Sequence, residues 1–497
     1  MGFLYAQQIV LEPSKAYQTM VGFGASDAWR TQFVGENWPI EKRNQIADWL
    51  FSRDIDENGN PKGIGLSLWR FCIGAGSTEQ GEESDIVNEW RRSESFLDPD
   101  GTYDWSKYVG QKWFLQAAKE RGVDQFLAFS LSAPVQYTIN GKAYSIKGDE
   151  RLNLKPGKYD DYAKYLVDVI EYFHEHEGIS FDYLSPNNEP QWDWSNPGQE
   201  GSAATNEDLY LMTSYLSREL DRRNLKTRIV LGETGELNHL FEEYKSTGDQ
   251  ISTFFEPTSP LYIGSMSAVA HTISGHSYFT TWPIDTLNAV RHELAEKLAE
   301  YPDLGYWQSE YCILEESPEI GNGHKRDLGM PTALYVGRVI HADLTMTNAT
   351  SWQWWTALTT WDFKDGLIYL DTGDPSDLFN RDRMKTDGDC HTSKLMWALG
   401  NYSRFIEPGM ERFEASLEGV KGEVSISAYQ RDSEFVLVLT NHKDKAEVLS
   451  LPKGVEIIGE YLTSSSHDLS KVDLSDDKSI QLPGRSLLTI TGRFDER

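Results

Sequence analysis

Two segments of the chain end on a glutamate placed where a carboxylate could do chemistry. One reads Phe181-Asp182-Tyr183-Leu184-Ser185-Pro186-Asn187-Asn188-Glu189-Pro190, the other Gly305-Tyr306-Trp307-Gln308-Ser309-Glu310-Tyr311. Each opens as a short apolar run of strand character. If Glu189 and Glu310 face one another, one can protonate a leaving oxygen while the other supports a positive anomeric carbon. Glycosidic-bond cleavage needs that pair. Asn188 could hydrogen-bond a sugar 2-hydroxyl, or serve as a turn residue before Pro190. Trp29, Trp192, Trp194 and Trp355 are candidates to stack on pyranose faces. Asp27, Glu233 and Glu236 end strands and could bind sugar hydroxyls or cap the helices that follow. Against this stands chance: with 77 acidic residues, some glutamate will follow some strand.

Opposed carboxylates need a frame that brings distant segments to one place. Between residues 20 and 400, short β-rich runs alternate with longer amphipathic stretches, the pattern of parallel strands joined by helical crossovers. The runs are 20–26, 65–74, 126–131, 181–185, 228–232, 268–278, 305–311 and 350–358, and the helix-like stretches include 162–175, 208–223, 285–301 and 332–346. Eight such units predict an α/β fold of the (β/α)8 or TIM-barrel type. In that fold reactive side chains gather at the C-terminal ends of the strands. The fourth and seventh runs, which carry the two glutamates, then lie on opposite sides of the ring. After residue 400 the pattern changes to short strands at 423–429, 434–439, 455–461 and 486–491, so a fused C-terminal β-sandwich side domain is expected over 401–497. The catalytic barrel is expected over 19–400, with a strand in residues 1–18 joining the side domain. Without a long linker, the two domains are expected to pack rigidly.

Composition narrows the partners. Lys+Arg 47 against Asp+Glu 77 leaves a net charge of −30, which excludes nucleic acid as a partner because counterion release needs clustered cations. With 39% apolar and 12% aromatic residues, the chain can build a large core. No apolar run approaches the roughly 18 residues of a membrane span. The opening Met1 to Gln8 is short for a signal peptide but could be the remnant of one, so a secreted, periplasmic or cell-surface location is expected. Cys72, Cys312 and Cys390 are odd in number and far apart, and are expected to be buried thiols. Clustered His/Asp ligands and a glycine-rich phosphate loop are both missing, so no metal and no cofactor is expected. The expected partner is a polysaccharide or oligosaccharide, taken by a monomer; a protein that only binds glycans is the alternative.

The sequence resembles glycoside hydrolase family 30 over almost its whole length. The likeness rests on Val21-Gly22-Phe23-Gly24-Ala25, Trp69-Arg70, Asn188-Glu189-Pro190, Gly275-His276-Ser277-Tyr278, Ser309-Glu310 and Trp352 to Trp355, in that order. It implies a retaining enzyme in which Glu189 is the acid/base and Glu310 the nucleophile. A raised Glu189 pKa is expected from the charge of Glu310. The resemblance further implies that Arg70 contacts the nucleophile, that His276 and Tyr278 orient it, and that Trp355 is a sugar platform. The run Asn188-Glu189-Pro190-Gln191-Trp192-Asp193-Trp194 is similar to the endo-β-1,6-galactanase branch, which acts on type II arabinogalactan side chains, with β-1,6-glucan and xylan as the alternatives. One departure is the loop Ser130-Leu131-Ser132-Ala133-Pro134-Val135-Gln136-Tyr137, where relatives often carry Trp at the positions of Leu131 and Gln136. The charge of −30 disfavours capture of an anionic xylan at long range, although a local Arg or Lys can override it within a Debye length.

Overall fold

The computed structural model describes residues 7–474 and 479–495. Among them, eight parallel strands close into a barrel: Gly22–Ser26, Leu68–Cys72, Gln125–Phe129, Tyr183–Ser185, Arg228–Thr234, Val269–His276, Gly305–Glu310 and Ser351–Trp355. They are the eight runs read from the sequence and are called strands one to eight. The ring closes where strand one pairs with strand eight, from Gly22↔Ser351 to Ser26↔Trp355.

Strand two shows how the barrel is layered. Successive side chains of a strand point to opposite faces. Trp69 and Phe71 therefore enter the large core beneath the helices, while Leu68 meets Leu127, Val230 and Trp307 in a plug on the barrel floor. Arg70 lies above that plug, and Cys72 packs above it with Trp29, Phe129 and Leu131. Strand one makes room with Gly24, where a Cβ would come 2.8 Å from Leu68 Cδ2 and 2.9 Å from its carbonyl oxygen.

The helices start and face inward for local reasons. Asn206–Arg223 opens on a capping box: the Thr205 hydroxyl accepts from Asp208 N at 3.1 Å, and Asp208 Oδ2 accepts from Thr205 N at 2.9 Å. In Tyr159–Tyr172 the residues Tyr162, Tyr165, Leu166, Val169 and Ile170 recur every three or four positions and are all buried. No described helix is long and apolar enough to cross a membrane.

The chain's C-terminal part forms a nine-stranded sheet among the described residues, in which Gln8–Thr19 pairs antiparallel with Glu411–Glu418. The strands Glu411–Glu418, Glu447–Ser450, His467–Val472 and Ser479–Leu482 are additions to those read from the sequence. Leu449, Ile480 and Leu482 from one end of the sheet share a core with Leu437, Leu488 and Ile490 from its middle, so the sheet folds over itself as a sandwich. The alternate residues Val436, Val438 and Leu487 face the other way and join the barrel's core, against the helices Met330–Met346 and Lys394–Ser403. Asn401 fixes this seam: its Nδ2 donates to Thr489 Oγ1 at 2.9 Å, and that hydroxyl donates back to the Asn401 carbonyl at 2.6 Å.

After strand eight the chain makes an excursion through a three-stranded sheet, Leu358–Thr359, Ile368–Asp371 and Asp389–Thr392. It carries Phe363 and Asp365 to the barrel mouth. Cys390 lies on its edge strand and is only half-buried, a correction to the expectation of three buried thiols; Cys72 and Cys312 are buried, and all three are free.

Candidate active site

Backbone irregularities aim the central carboxylates. Between strands six and seven the pairing runs Gly275↔Gln308 and then His276↔Glu310, skipping Ser309. Strict alternation from the inward Trp307 would turn Glu310 outward; the skipped residue lets Ser309 and Glu310 both face the barrel mouth. Strand five is irregular at Gly232, where φ is +117° and a Cβ would stand 2.2 Å from the Ser274 carbonyl oxygen. Glu233 follows with φ +47°, and Glu189, just past strand four, shares that value. Left-handed backbone at a non-glycine residue costs about 1–3 kcal/mol. Hydrogen bonds hold both in place: Glu189 N donates to the Glu233 carbonyl at 2.8 Å, and Trp192 N and Trp194 Nε1 each donate to the Glu189 carbonyl at 3.0 Å.

These residues meet in one buried network. Arg70 Nη1 donates to Glu310 Oε2 at 2.6 Å, and Arg70 Nη2 donates to Glu233 Oε2 at 2.8 Å and to Asn188 Oδ1 at 3.1 Å. Phe129 lies under the guanidinium, 4.2 Å from ring centroid to Cζ. Tyr278 OH donates to Glu310 Oε1 at 3.0 Å. His276 stands between two other carboxylates, with Nδ1 3.0 Å from Glu189 Oε1 and Nε2 2.9 Å from Glu233 Oε2. Ser274 and Ser309 hydroxyls also donate to Glu233, at 3.0 and 3.1 Å. A carboxylate oxygen of Glu189, one of Glu310 and a ring nitrogen of His276 all lie within 4.8 Å of one another.

The charges in this network can be assigned. Burial works against an ionised Glu233, yet Arg70 and His276 outweigh it and hold the carboxyl down at about 2. Burial likewise opposes a charged His276, but Glu310 and the hydrogen bonds to Glu189 and Glu233 raise it to about 9. Glu189 is raised, mainly by burial; the charge of Glu310 adds less, and His276 and Arg70 pull the other way. That corrects the expectation that Glu310 is the chief cause. Arg70 and His276 thus both contact Glu233, Arg70 also contacts Glu310, and burial inclines Glu189 toward holding a proton. Glu189, His276 and Glu310 could in principle bracket a metal ion, but both His276 nitrogens already stand at hydrogen-bond distance from carboxylates, so a metal there would displace the Glu189 contact.

Above the network opens a cleft of about 460 Å³, lined by Asn188, Glu189, Trp192, Trp194, Tyr278, Glu310 and Trp355. Trp192 is 47% exposed and its ring runs parallel to that of Phe279, with centroids 6.3 Å apart. With Asn188 Oδ1 bound to Arg70, the Asn188 amide nitrogen is the group left for the cleft. Three expectations need correcting. Asp27 is fully buried and its carboxylate is taken up by Trp29 N, Arg30 N, Leu358 N and the Thr356 hydroxyl, so it holds the start of the helix Arg30–Asn37, the second of its two expected roles, and has no room for a sugar hydroxyl. Trp29 is buried and meets the Trp355 ring edge-on at 5.1 Å, so it backs that ring and offers no stacking face to the cleft. His276 is nearer Glu189 and Glu233 than Glu310, whose Oε1 is 3.7 Å away. Glu236 is half-buried, and its side chain caps no helix.

Sequence reasoning placed Glu233 only as a hydroxyl binder or a cap, whereas it is the anion shared by Arg70 and His276. Its signal was the strand glycine before it, a mark of a bulge. Phe279, Arg91 and Asp365 also line the cleft and carried no such signal.

A closed barrel with carboxylates gathered at its mouth and a side sheet docked on two helices is the architecture of a glycoside hydrolase. The chain belongs to O-glycosyl hydrolase family 30, whose profile matches residues 6–369. The family makes it a hydrolase acting on carbohydrate. It is 23% identical over 366 residues to an endo-β-1,6-galactanase of Hypocrea rufa, covering 70% of this chain and 67% of that one. Among solved structures it matches a conserved exported protein from Bacteroides fragilis, with TM-score 0.92 and 37% identity over 97% of this chain and 100% of the other. The catalytic domain of xylanase C from Talaromyces cellulolyticus shares the fold, with TM-score 0.70 and 21% identity over 98% of this chain and 99% of that one.

Proposed function

We propose that the protein is a retaining endo-β-1,6-galactanase that cleaves the side chains of type II arabinogalactan through a covalent glycosyl-enzyme intermediate. The observation that carries the mechanism is the close approach of Glu189 and Glu310, with oxygens within 4.8 Å. Retaining enzymes hold their carboxyl groups about 5–5.5 Å apart, too close for a water to attack between them. Arg70 and Tyr278 bind one oxygen each of Glu310 and aim it as nucleophile.

Glu189 supplies the proton. His276 occupies its Oε1, so Oε2 is the oxygen available to the glycosidic oxygen. As the bond to the leaving sugar breaks, Glu310 bonds to the anomeric carbon. Glu189, now ionised, takes a proton from water, and that water releases the sugar with its configuration retained. The Asn188 amide, steered by Arg70, can donate to the 2-hydroxyl as charge develops on the ring.

The choice of galactan is supported by the Hypocrea rufa relative and by the Trp192 segment that follows Glu189. Export from the cell, in keeping with a polymeric substrate, is supported by the relative described as exported. Incubation with β-1,6-galactan, arabinogalactan, β-1,6-glucan and glucuronoxylan, with products separated by size, tests the assignment. A ladder of β-1,6-galacto-oligosaccharides is expected. A ladder only from another polymer, or only monosaccharide, overturns it. Proton NMR of fresh product should show the β-anomer first.

A further inference from the structure

The loop that follows Glu189 folds back on itself, and one buried carboxylate pins its return. On the outward limb, Trp194 Nε1 donates to the Glu189 carbonyl at 3.0 Å. On the return limb Gly201 lies against the same indole, where a Cβ would stand 2.4 Å from Trp194 Cδ2. Ala204 N closes the lap by donating to the Pro190 carbonyl at 3.1 Å. Glu200, next to Gly201, is fully buried, and its side chain crosses to the segment that leaves strand two. There Oε2 accepts from Ala75 N at 2.9 Å, and Oε1 accepts from Ser77 N at 3.1 Å and from the Ser77 hydroxyl at 2.5 Å. Ser77 Oγ accepts in turn from Ser93 N at 3.0 Å, which extends the tie into the strand-two loop.

All three donors to Glu200 are neutral, and it takes part in no ion pair among the described residues. Burial raises its pKa to about 7, against the pull of those donors. A buried acid without a cation costs stability, and what it holds here is position. Its two oxygens both accept, so it can grip the amides of two separate residues, whereas an amide side chain has a single accepting oxygen. Through Gly201 and the Trp194 ring that grip reaches the Glu189 backbone, which sits at φ +47°. We propose that Glu200 is a positioning residue: it anchors the return limb to the exit of strand two, seats Trp194, and through Trp194 aims the Glu189 carboxyl at the leaving oxygen. The proposal rests on the reading of Glu189 as general acid, and adds the device that directs it.

Glu200→Gln replaces one accepting oxygen with a donating NH2, so a buried backbone N–H loses its acceptor and the return limb should shift. The readout is kcat/KM at about pH 7.5 on two substrates that differ in their need for an acid. In β-1,6-galactotetraose the departing sugar must be protonated; in 2,4-dinitrophenyl β-1,6-galactobioside the phenolate leaves unaided. Glu200→Gln should lower kcat/KM about tenfold or more on the tetraose and less than about twofold on the aryl glycoside. Ser77→Ala, which removes one donor from the opposite loop, should show the same split at about threefold, and it decides the question if Glu200→Gln does not fold. Equal losses on the two substrates, or no loss on either, overturn the proposal and leave Glu200 a structural residue. The readings beneath it fail separately. Glu189→Ala should show the largest split, and a loss of both substrates alike refutes Glu189 as the acid. Wild-type enzyme that leaves both galactosides intact refutes the galactanase reading, and the same ratio is then taken on the oligosaccharide and dinitrophenyl glycoside of the polymer that it does cleave.

Discussion

The barrel mouth and the seam between barrel and side sheet are equally shielded from water and built by opposite rules. At the seam, Val436, Val438 and Leu487 meet helix side chains, and Asn401 and Thr489 exchange two hydrogen bonds. At the mouth, Arg70, His276, Glu233 and Glu310 are packed together on two left-handed glutamates. Apolar burial contributes about 25 cal/mol per Å². Burying charges costs free energy unless each finds its partner. The seam therefore stabilises the fold, and the mouth spends stability on a prepared charge pattern.

The contrast can be broken most sharply at Glu310. Glu310→Gln should lower kcat by a factor on the order of 10⁴ or more and lower stability less than Glu233→Gln does, since Arg70 keeps Glu233 as a partner. A loss of stability equal to that of Glu233→Gln would show that the network depends on Glu310 as much as on the anion Arg70 and His276 share. Glu233→Gln should cost about 3 kcal/mol of stability, measured by denaturant unfolding, because Arg70 and His276 lose the anion they share. It should also lower the His276 pKa, visible by NMR of the ring. Leu487→Ala, at the seam, should cost roughly 2–4 kcal/mol with kcat within about twofold of wild type. A large fall in kcat there would mean that the two regions are coupled. Trp355→Ala should raise KM roughly five- to tenfold with a smaller effect on kcat, through loss of a stacking face.

The pH dependence separates the regions again. The folded pKa of His276, about 9, exceeds its usual value near 6.5, so its contribution is fully present below about pH 6.5 and lost as the pH rises through 9. Glu233, held at about 2, contributes above its usual range near 4.5 and loses that contribution as the pH falls toward 2. Stability measured against pH should therefore decline on both sides. In His276→Phe the alkaline decline should shrink, whereas in Leu487→Ala it should keep its shape at lower stability.

Much of the frame was legible because it repeats locally. Apolar runs at strand spacing gave all eight barrel strands, and three- and four-residue spacing gave four of the helices between them, while Arg30–Asn37, Ile40–Phe51 and Val109–Glu120 were not read. The strand Glu411–Glu418 was harder to see: its register against Gln8–Thr19 is irregular between Glu12 and Thr19, so its alternation is weak. At the site, Glu189 and Glu310 stood out because each closes a strand. Asp27 looked like a ligand for the same reason, and only its surroundings show that backbone and hydroxyl donors have already claimed it.

The order of residues along the chain determined which carboxylates reach the rim, since strand position is set by periodicity within a few residues. It also determined that the protein carries a strong negative charge and a core of aromatic residues. Tertiary structure alone decided that Glu233 is shared by Arg70 and His276 and that a skipped residue turns Glu310 toward the cleft. Electrostatic energy depends on distance through space and on burial, and neither is written in the spacing of residues along a chain.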